Sequence, residues 1–406
     1  MKKKVLIIGN TATEYALAKY FSKDYEVFVA SGSELIKDFA TCVDIRDTSV
    51  NELLEFALEN AIDLTIPVSQ EALKANIAEI FSNNGLEIFA PSKNAARLVF
   101  DKTLAKKTLY KLHIPTPRFG IFEKQNMVAD YIKNLKQPYV IKTNAPQSAV
   151  ILNQTMNPRA ILDSLFAEKN QKVLIEDYIW GTPFVFYTIT DGFKALPIGS
   201  SIIHKHSLEG EGGQLTTGMG ASTPNYKLSL DDELYLLDKA VYPTLELLQQ
   251  EGNPYLGILG INGILTTDGM IYVLGFESFM QDSDCYAILK TIDENIYDLM
   301  NSCIIGSFSD ETNCIRLKEQ YSVSVTLHSK NRENNSTIEG YDNLDSETDI
   351  VFYNNVTKNK YLEYLTSYGP NMILTSTAAT LAGARKKVYE EVCELNFNGI
   401  FYRKDI

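Results

Sequence analysis

The sequence is poor in the features that would announce a function on sight. Its 406 residues hold four histidines, one tryptophan and five cysteines. The cysteines fall at 42, 285, 303, 314 and 393, an odd number with no C-x-x-C spacing. That pattern argues against a disulfide framework or a zinc ribbon and reads as free thiols in a reducing, cytoplasmic setting. No apolar run approaches the ~18 residues that a helical membrane span needs. The run after Met1-Lys2-Lys3-Lys4 stops at Gly9-Asn10, too short for a signal peptide. The glycosylation triplets at Asn153 and Asn335 are therefore expected to be chance matches. Positive charge is in deficit, with a net of −13. A binder of nucleic-acid backbone needs a positive surface, so that class is set aside; a local basic pocket for a small phosphorylated ligand is still allowed. Walker A sequence, Ser-His-Asp order and zinc-ligand spacing are also missing.

What is present is a globular composition, 45% apolar and 22% charged, with length for about two to four domains. Over the first hundred residues, strand and helix patterns alternate. Residues 4–8 (KVLII), 26–30 (EVFVA), 63–67 (DLTIP) and 86–90 (LEIFA) read as strands; 13–21, 49–60 and 70–81 read as helices. Short links between them predict a doubly wound α/β domain. A helical stretch, 93–111, ends at the Pro-rich linker 113–117. From 118 to about 205 strands dominate (138–142, 149–152, 172–178, 184–190 and 195–203), with one helix at 158–167, which predicts a small α+β module. A Gly-rich segment, 209–220 (EGEGGQLTTGMG), is expected to be a loop. A helix over 229–250 and a hairpin, 258–265 with 270–277 around Thr267-Asp268-Gly269, come next. Beyond 310, residues 321–327 alternate as a half-buried strand, 330–349 reads as an exposed polar loop, and 381–395 as a helix.

Several clusters carry chemistry, each with a plain alternative. The first βα turn, Gly9 to Glu14, sits where a phosphate meets a helix N-terminus, or is simply a tight turn with a Thr cap. Lys102 and Lys142 flank the β-rich module and suit nucleotide phosphates as point charges; taken alone, each reads more readily as an ordinary surface lysine. The strand that ends Glu176-Asp177-Tyr178-Ile179 can present backbone to an adenine edge. His204, Lys205 and the glycines after them form the densest polar cluster, able to approach an anion closely. Glu277, Asp282 and Asp284 are hard oxygen ligands at a strand end, suited to Mg²⁺ that bridges phosphates, or else an acidic surface loop.

In this order, the pieces resemble the glycinamide ribonucleotide synthetase family along nearly the whole chain. VLIIGNTATEYALA resembles the family's VLVIGSGGREHALA. VLIEDYIWGTPF resembles V-V-I-E-E-F-L-x-G-E-E-A. The run from 195 to 224, ALPIGSSIIHKHSLEGEGGQLTTGMGASTP, fits D-H-K-R and G-D-G-D-x-G-P-N-T-G-G-M-G-A, and FNGIFYRKDI fits F-x-G-x-x-Y-R-x-D-I. The Thr-Gly-Met-Gly-Ala run together with that last motif is specific to the family. The resemblance implies an N-terminal α/β domain (1–101), an ATP-grasp domain (102–310, with a lid over about 118–205) and a small α+β C-terminal domain (311–406). It implies an ATP-dependent carboxylate–amine ligase of purine biosynthesis, phosphoribosylamine–glycine ligase-like, which forms an amide through an acyl phosphate. ATP and Mg²⁺ (or Mn²⁺) are the implied cofactors. The implied partners are small molecules, glycine or another acid and a phosphorylated amine, with no nucleic acid or membrane.

By position, the resemblance makes Lys102, Lys142, Glu176, Asp177, Tyr178 and Ile179 the ATP-binding set. It makes Gly9, Glu14, His204, Lys205, Thr216, Gly218, Met219, Gly220 and Asp282 the substrate side, and Glu277 the metal ligand. No residue is assigned as catalytic. The chain departs from the pattern at several places. The lid loop, Lys142 to Val150, has no glycine. Pro183 stands where a ribose-binding glutamate is expected. Gly275, Glu277 and Phe279 replace a glutamate, an asparagine and an arginine, and Leu215 replaces an asparagine. A remodelled ligase is the first expectation. The alternatives are an ATP-grasp ligase with a different acid or amine, and a catalytically degenerate paralogue.

Overall fold

The computed structural model describes residues 2–133, 135, 138–145, 149–152, 158–166, 172–308, 314–332, 335–345 and 348–406. The amino-terminal hundred residues form the expected doubly wound layer. Four parallel strands run in the order Thr41–Val43, Glu26–Ala30, Lys4–Ile8 and Leu64–Pro67. Lys4–Ile8 is central, and its apolar residues point alternately to two cores. Leu6 and Ile8 join Phe28, Leu53 and Phe81 on one side. Val5 and Ile7 join Val29, Leu17 and Phe21 on the other. The predicted strand at 86–90 contributes only one bridge, Thr65 to Ile88, because Pro91-Ser92 turns the chain into the next helix. The edge strand Thr41–Val43 was not legible in the sequence.

Two predicted helices are each split. The 70–81 stretch breaks at Asn76, which takes a left-handed φ of 69° between Gln70–Lys74 and Ile77–Asn83. The 93–111 stretch breaks at Asp101. There the carboxylate accepts from the backbone N–H of Thr103 (3.2 Å) and Leu104 (3.1 Å) and so starts a new helix, Lys102–Lys111. This cap places Lys102 on the first turn of that helix, beside Thr143 and Asn144.

A four-stranded antiparallel flap comes next, ordered Phe119–Phe122, Val173–Asp177, Tyr139–Lys142, Val150–Leu152. The helices Gln125–Ile132 and Pro158–Leu165 supply Val128 and Leu162 to its small core of Tyr139, Ile141, Leu152, Val173 and Ile175. The flap sheet therefore ends at Asp177, short of the expected 205. Thr182–Thr190 and Ala195–Leu208 belong to the large sheet instead, where each is hydrogen-bonded on both edges. Alternation along a strand shows that one face is buried, but not which sheet buries it. Residues 146–148 of the lid loop, and Asn153, lie outside the described residues.

The large sheet has nine strands: Ile271–Glu277, Gly257–Leu265, Thr182–Thr190, Ala195–Leu208, Gly212–Thr223, Tyr321–Ser329, Gly369–Ala378 and Asp349–Phe352, with Ile400–Phe401 attached to Tyr321–Ser329. It runs through the boundary expected at 310, since Gly220 to Thr223 pair with Val325 to Ser322. The predicted Gly-rich loop is a strand of this sheet. The hairpin at Thr267-Asp268-Gly269 is as read, with Gly269 at φ 82°. The segment read as an exposed loop before 349 is partly tied down: Ile338 is buried, and Thr337 and Glu339 make bridges to Leu365 and Asn396. Among the described residues no helix is long and apolar enough to cross a membrane.

Candidate active site

The flap is hung on the large sheet by the linker before it. Val273 N–H donates to Pro115 O at 2.8 Å, and Thr116 Oγ1 donates to Val273 O at 2.7 Å. Thr116 in turn accepts from Lys106 Nζ at 2.6 Å. Lys106 lies one helical turn after Lys102, and its side chain is 1% exposed. Its ammonium meets Glu176 Oε1 at 3.0 Å, while Lys142 Nζ meets Glu176 Oε2 at 2.7 Å. Glu176 is buried, and burial pulls the Lys106 ammonium down while Glu176 holds it charged. Two lysines thus share one carboxylate, an arrangement that holds three charges out of water only because all are paired.

Lys102 stands beside this triad. Its Nζ donates to the carbonyls of Thr143 (2.7 Å) and Ala145 (3.0 Å), and its own N–H reaches Asn144 Oδ1 at 2.9 Å. Burial, with the charges of Lys142 and Lys205, brings its pKa down to about 8 against the opposing charges of Glu277 and Glu176. The charges that act on Lys102 come from the flap, from the hairpin that ends at Glu277 and from the Gly-rich hairpin. Lys142, Lys205 and Glu277 therefore lie near enough to Lys102 for their charges to act on it, within a protein of net charge −13.

At the floor, Glu277 Oε1 accepts from Asn262 Nδ2 (3.1 Å) and Gln281 Nε2 (2.8 Å). Among the described residues its Oε2 has no hydrogen-bond partner. Position 275, opposite Asn262 in register, is open: a Cβ there would meet nothing within 4 Å. No group of three metal-ligating side chains occurs among the described residues. One protein carboxylate with a free oxygen still fits a divalent cation that arrives on phosphates, since Mg²⁺ is usually held by one or two carboxylates plus the nucleotide. Behind Glu277 lies Asp284, fully buried. Its Oδ1 accepts from Tyr187 OH at 3.3 Å, and its Oδ2 has no partner. Burial raises its pKa to about 7, against the pull of Tyr187 and Lys205.

The Gly-rich strand explains how Lys205 is presented. His206 pairs with Leu215, but His204 pairs with Gly220, so residues 216–219 bow out of register opposite Lys205. Thr216 Oγ1 ties this arch down by donating to Lys205 O (2.9 Å) and accepting Gly218 N–H (3.1 Å). Gly218 is held close to Ser283, and Met219 is buried. Successive side chains of a strand point to opposite faces. His204 is held by Glu211 (2.8 Å), whereas Lys205 has no ion-pair or hydrogen-bond partner for its ammonium among the described residues.

The first βα turn is built differently from a phosphate seat. Thr11 and Glu14 form a capping box, and Glu14 is fully buried. Asp282, just beyond the last strand at one edge of the large sheet, brings Oδ1 to Thr13 N–H (2.9 Å) and Thr13 Oγ1 (2.8 Å). Burial raises the pKa of both carboxyls, and for Glu14 the charge of Asp282 adds to it. A carboxylate of the protein itself occupies the anion position at this helix N-terminus. A Cβ at Gly9 would be 2.9 Å from Val68, so that glycine serves close packing. Of the two sequence readings, the tight turn is what the structure forms. Asp282, through Thr13, joins the first domain to the sheet.

Residues 3–98 match the N domain of phosphoribosylglycinamide synthetase, and residues 100–285 match its ATP-grasp (A) domain. A phosphoribosylamine–glycine ligase of Halalkalibacterium halodurans is 30% identical over 417 residues, 99% of this chain and 96% of that one. The chain belongs to the phosphoribosylglycinamide synthetase family. Solved structures agree on the fold. The phosphoribosylamine–glycine ligase of Thermotoga maritima superposes with a TM-score of 0.81 at 23% identity, covering 99% of this chain and 100% of that one. The biotin carboxylase domain of Hydrogenobacter thermophilus 2-oxoglutarate carboxylase, solved with Mg-ADP, gives 0.73 at 14%, with 98% and 91% covered.

Within a phosphoribosylglycinamide synthetase frame, the structure sorts the expected residues. Lys142, Lys205 and Glu277 are electrostatic neighbours of Lys102, and Thr216 and Gly218 form the arch opposite Lys205. Glu176 is committed to the lysine triad rather than turned to a ligand. Asp177 is paired with Arg118 (3.1 and 3.3 Å) on the outer side of the flap. Tyr178 lies edge-on to the exposed Trp180 (4.8 Å), and Ile179 is half-buried. His204 and Gly220 are packing and pairing positions: a Cβ at 220 would be 2.3 Å from Ser324 O. Sequence reasoning missed Lys106, although its i,i+4 spacing from Lys102 was a usable signal, and it missed Arg403.

Proposed function

We propose that this protein is an ATP-dependent carboxylate–amine ligase that joins glycine to phosphoribosylamine, with Mg²⁺ as the metal. The convergence of Lys102, Lys142, Lys205 and Glu277 on one cleft carries this reading. In it, Lys102 exchanges the Thr143 and Ala145 carbonyls for phosphate oxygens, and Lys142, oriented by Glu176, offers a second positive charge. Tyr178 and Ile179 bound the base at the edge of the flap. The free Oε2 of Glu277, aimed by the amides of Asn262 and Gln281, is the protein ligand for the nucleotide-borne cation. When bound, that cation neutralises charge on the transferring phosphoryl group.

The γ-phosphoryl group passes to the acid's carboxylate, giving an acyl phosphate and ADP. The amine then attacks the acyl carbon, phosphate leaves, and the amine gives up a proton. The departing phosphate takes up that proton. In this reading the Lys205 ammonium offsets the negative charge that develops on the acid.

A nucleotide-binding measurement tests the reading. Trp180, the only tryptophan, lies at the edge of the flap and is 70% exposed. Mg-ATP is expected to change its emission saturably, and Lys142→Met to weaken that response at least ~10-fold. Absence of any response, together with no heat on titration, would support the degenerate paralogue instead.

A further inference from the structure

The last ten residues carry the family-specific motif FNGIFYRKDI, yet no step of the ligase chemistry uses it. Arg403 within it is among the most deeply buried charged groups in the molecule, 1% exposed. Its Nε and Nη2 grip Asp405 at 2.8 and 2.7 Å. Nη2 also meets Glu211 Oε1 at 2.8 Å, and Nη1 donates to His206 O at 3.3 Å. Glu211 holds His204, and Asp405 Oδ2 accepts Gly210 N–H at 2.9 Å. The tip of the Gly-rich hairpin is therefore fixed by a segment almost two hundred residues later.

That tip needs fixing. Glu211 sits at φ 58°, a left-handed conformation that a side-chain-bearing residue keeps only where its surroundings hold it. The same segment touches the hairpin again beyond the arch, where Ile406 packs against Gly220. Both ends of the stretch that contains Lys205 and the 216–219 arch are thus braced by Arg403, Asp405 and Ile406. A guanidinium suits the task because its planar fork meets a carboxylate in two places while a third N–H reaches a carbonyl.

We propose that Arg403 is a positioning residue for the acid- and amine-binding half of the site, acting through Glu211 and the His206 carbonyl on Lys205 and the 216–219 arch. The proposal rests on the ligase reading for its kinetic consequence, but not for its structural one. Arg403 touches no substrate. It acts on one side of the cleft, because its partners all lie in the Gly-rich hairpin and the C-terminal segment, away from Lys102, Lys142 and the flap.

The test compares Arg403→Met, Arg403→Lys and Glu211→Gln with the parent. In steady state with glycine and phosphoribosylamine, kcat/KM for these two substrates is expected to fall about 10²-fold in Arg403→Met, the scale of a misplaced site. Arg403→Lys should not rescue it, and Glu211→Gln should give a partial loss. The Mg-ATP affinity read from Trp180 should stay within about twofold of the parent in all three. Equal losses of nucleotide affinity and of kcat/KM would make Arg403 a general stability residue and overturn the proposal. Should the parent show no turnover, the ligase reading fails, and backbone amide exchange still decides this one. Faster exchange over 204–220 with the flap unchanged supports it; unchanged exchange over 204–220 overturns it. Glu211→Gln keeps Arg403 paired with Asp405, so it serves if the Arg403 variants do not fold.

Discussion

Lys102 is charged at neutral pH but only narrowly, with its pKa drawn down to about 8 by burial and by Lys142. A free lysine titrates near 10.4. Between these values the empty site has lost its proton, and a bound triphosphate would restore it. Nucleotide binding at about pH 9 should therefore take up protons, and affinity should fall as pH rises through about 8. Calorimetry in two buffers of different ionisation heat measures this; Lys102→Met should abolish the uptake, and a parent protein with none contradicts the assignment.

Asp284 has the opposite sign. Its folded pKa of about 7 lies above the unfolded value near 3.9. The folded state holds a proton that the unfolded state has lost, so its contribution to stability falls as pH rises from about 4 to 7. Asp284→Asn cannot ionise. Its melting temperature should exceed the parent's at about pH 8 and converge with it near pH 4. A variant less stable at both pH values would show that the carboxylate is needed for packing. Little of this was visible in the sequence. The acidic residues near the hairpin were found as a cluster, but residue type cannot reveal that Asp282 docks on Thr13 while Asp284 is sealed behind Tyr187.

Among the elements, the Gly-rich strand has the sharpest requirements. Gly220 has φ 147°, and an added Cβ would overlap Ser324 O, the partner strand's backbone. Gly220→Ala should cost roughly 1–3 kcal/mol and loosen the junction between Gly212–Thr223 and Tyr321–Ser329. Chemical denaturation measures the loss; an unchanged midpoint would mean that the two strands separate readily. Glycine in a sequence reads as a loop, because loops commonly need its freedom. Here the freedom is used so that one strand can lie close against its paired neighbour. The same limit explains the flap boundary. The strands at 182 and 195 were recognised, but periodicity says nothing of which sheet a strand joins. The central strand Lys4–Ile8 was legible because a run buried on both faces leaves few alternatives. The breaks at Asn76 and Asp101 were not, since each depends on one residue's backbone in its tertiary setting.

At the scale of the molecule, the cores retain the phosphoribosylglycinamide synthetase fold, whereas the charges in the cleft are rearranged. The phosphate half holds Lys102 and Lys142, and a third lysine, Lys106, is buried with Glu176 and holds Lys142 in place. The metal half offers the Glu277 carboxylate, with open space at Gly275. These differences lower the expected rate without removing the cleft. The most direct measurement is ADP release from ATP by the full chain, with Mg²⁺, glycine and freshly generated phosphoribosylamine. The account predicts release that requires both substrates together and that drops at least ~10-fold in Lys142→Met. No release above background with both substrates, under conditions where a family member turns over, would contradict it.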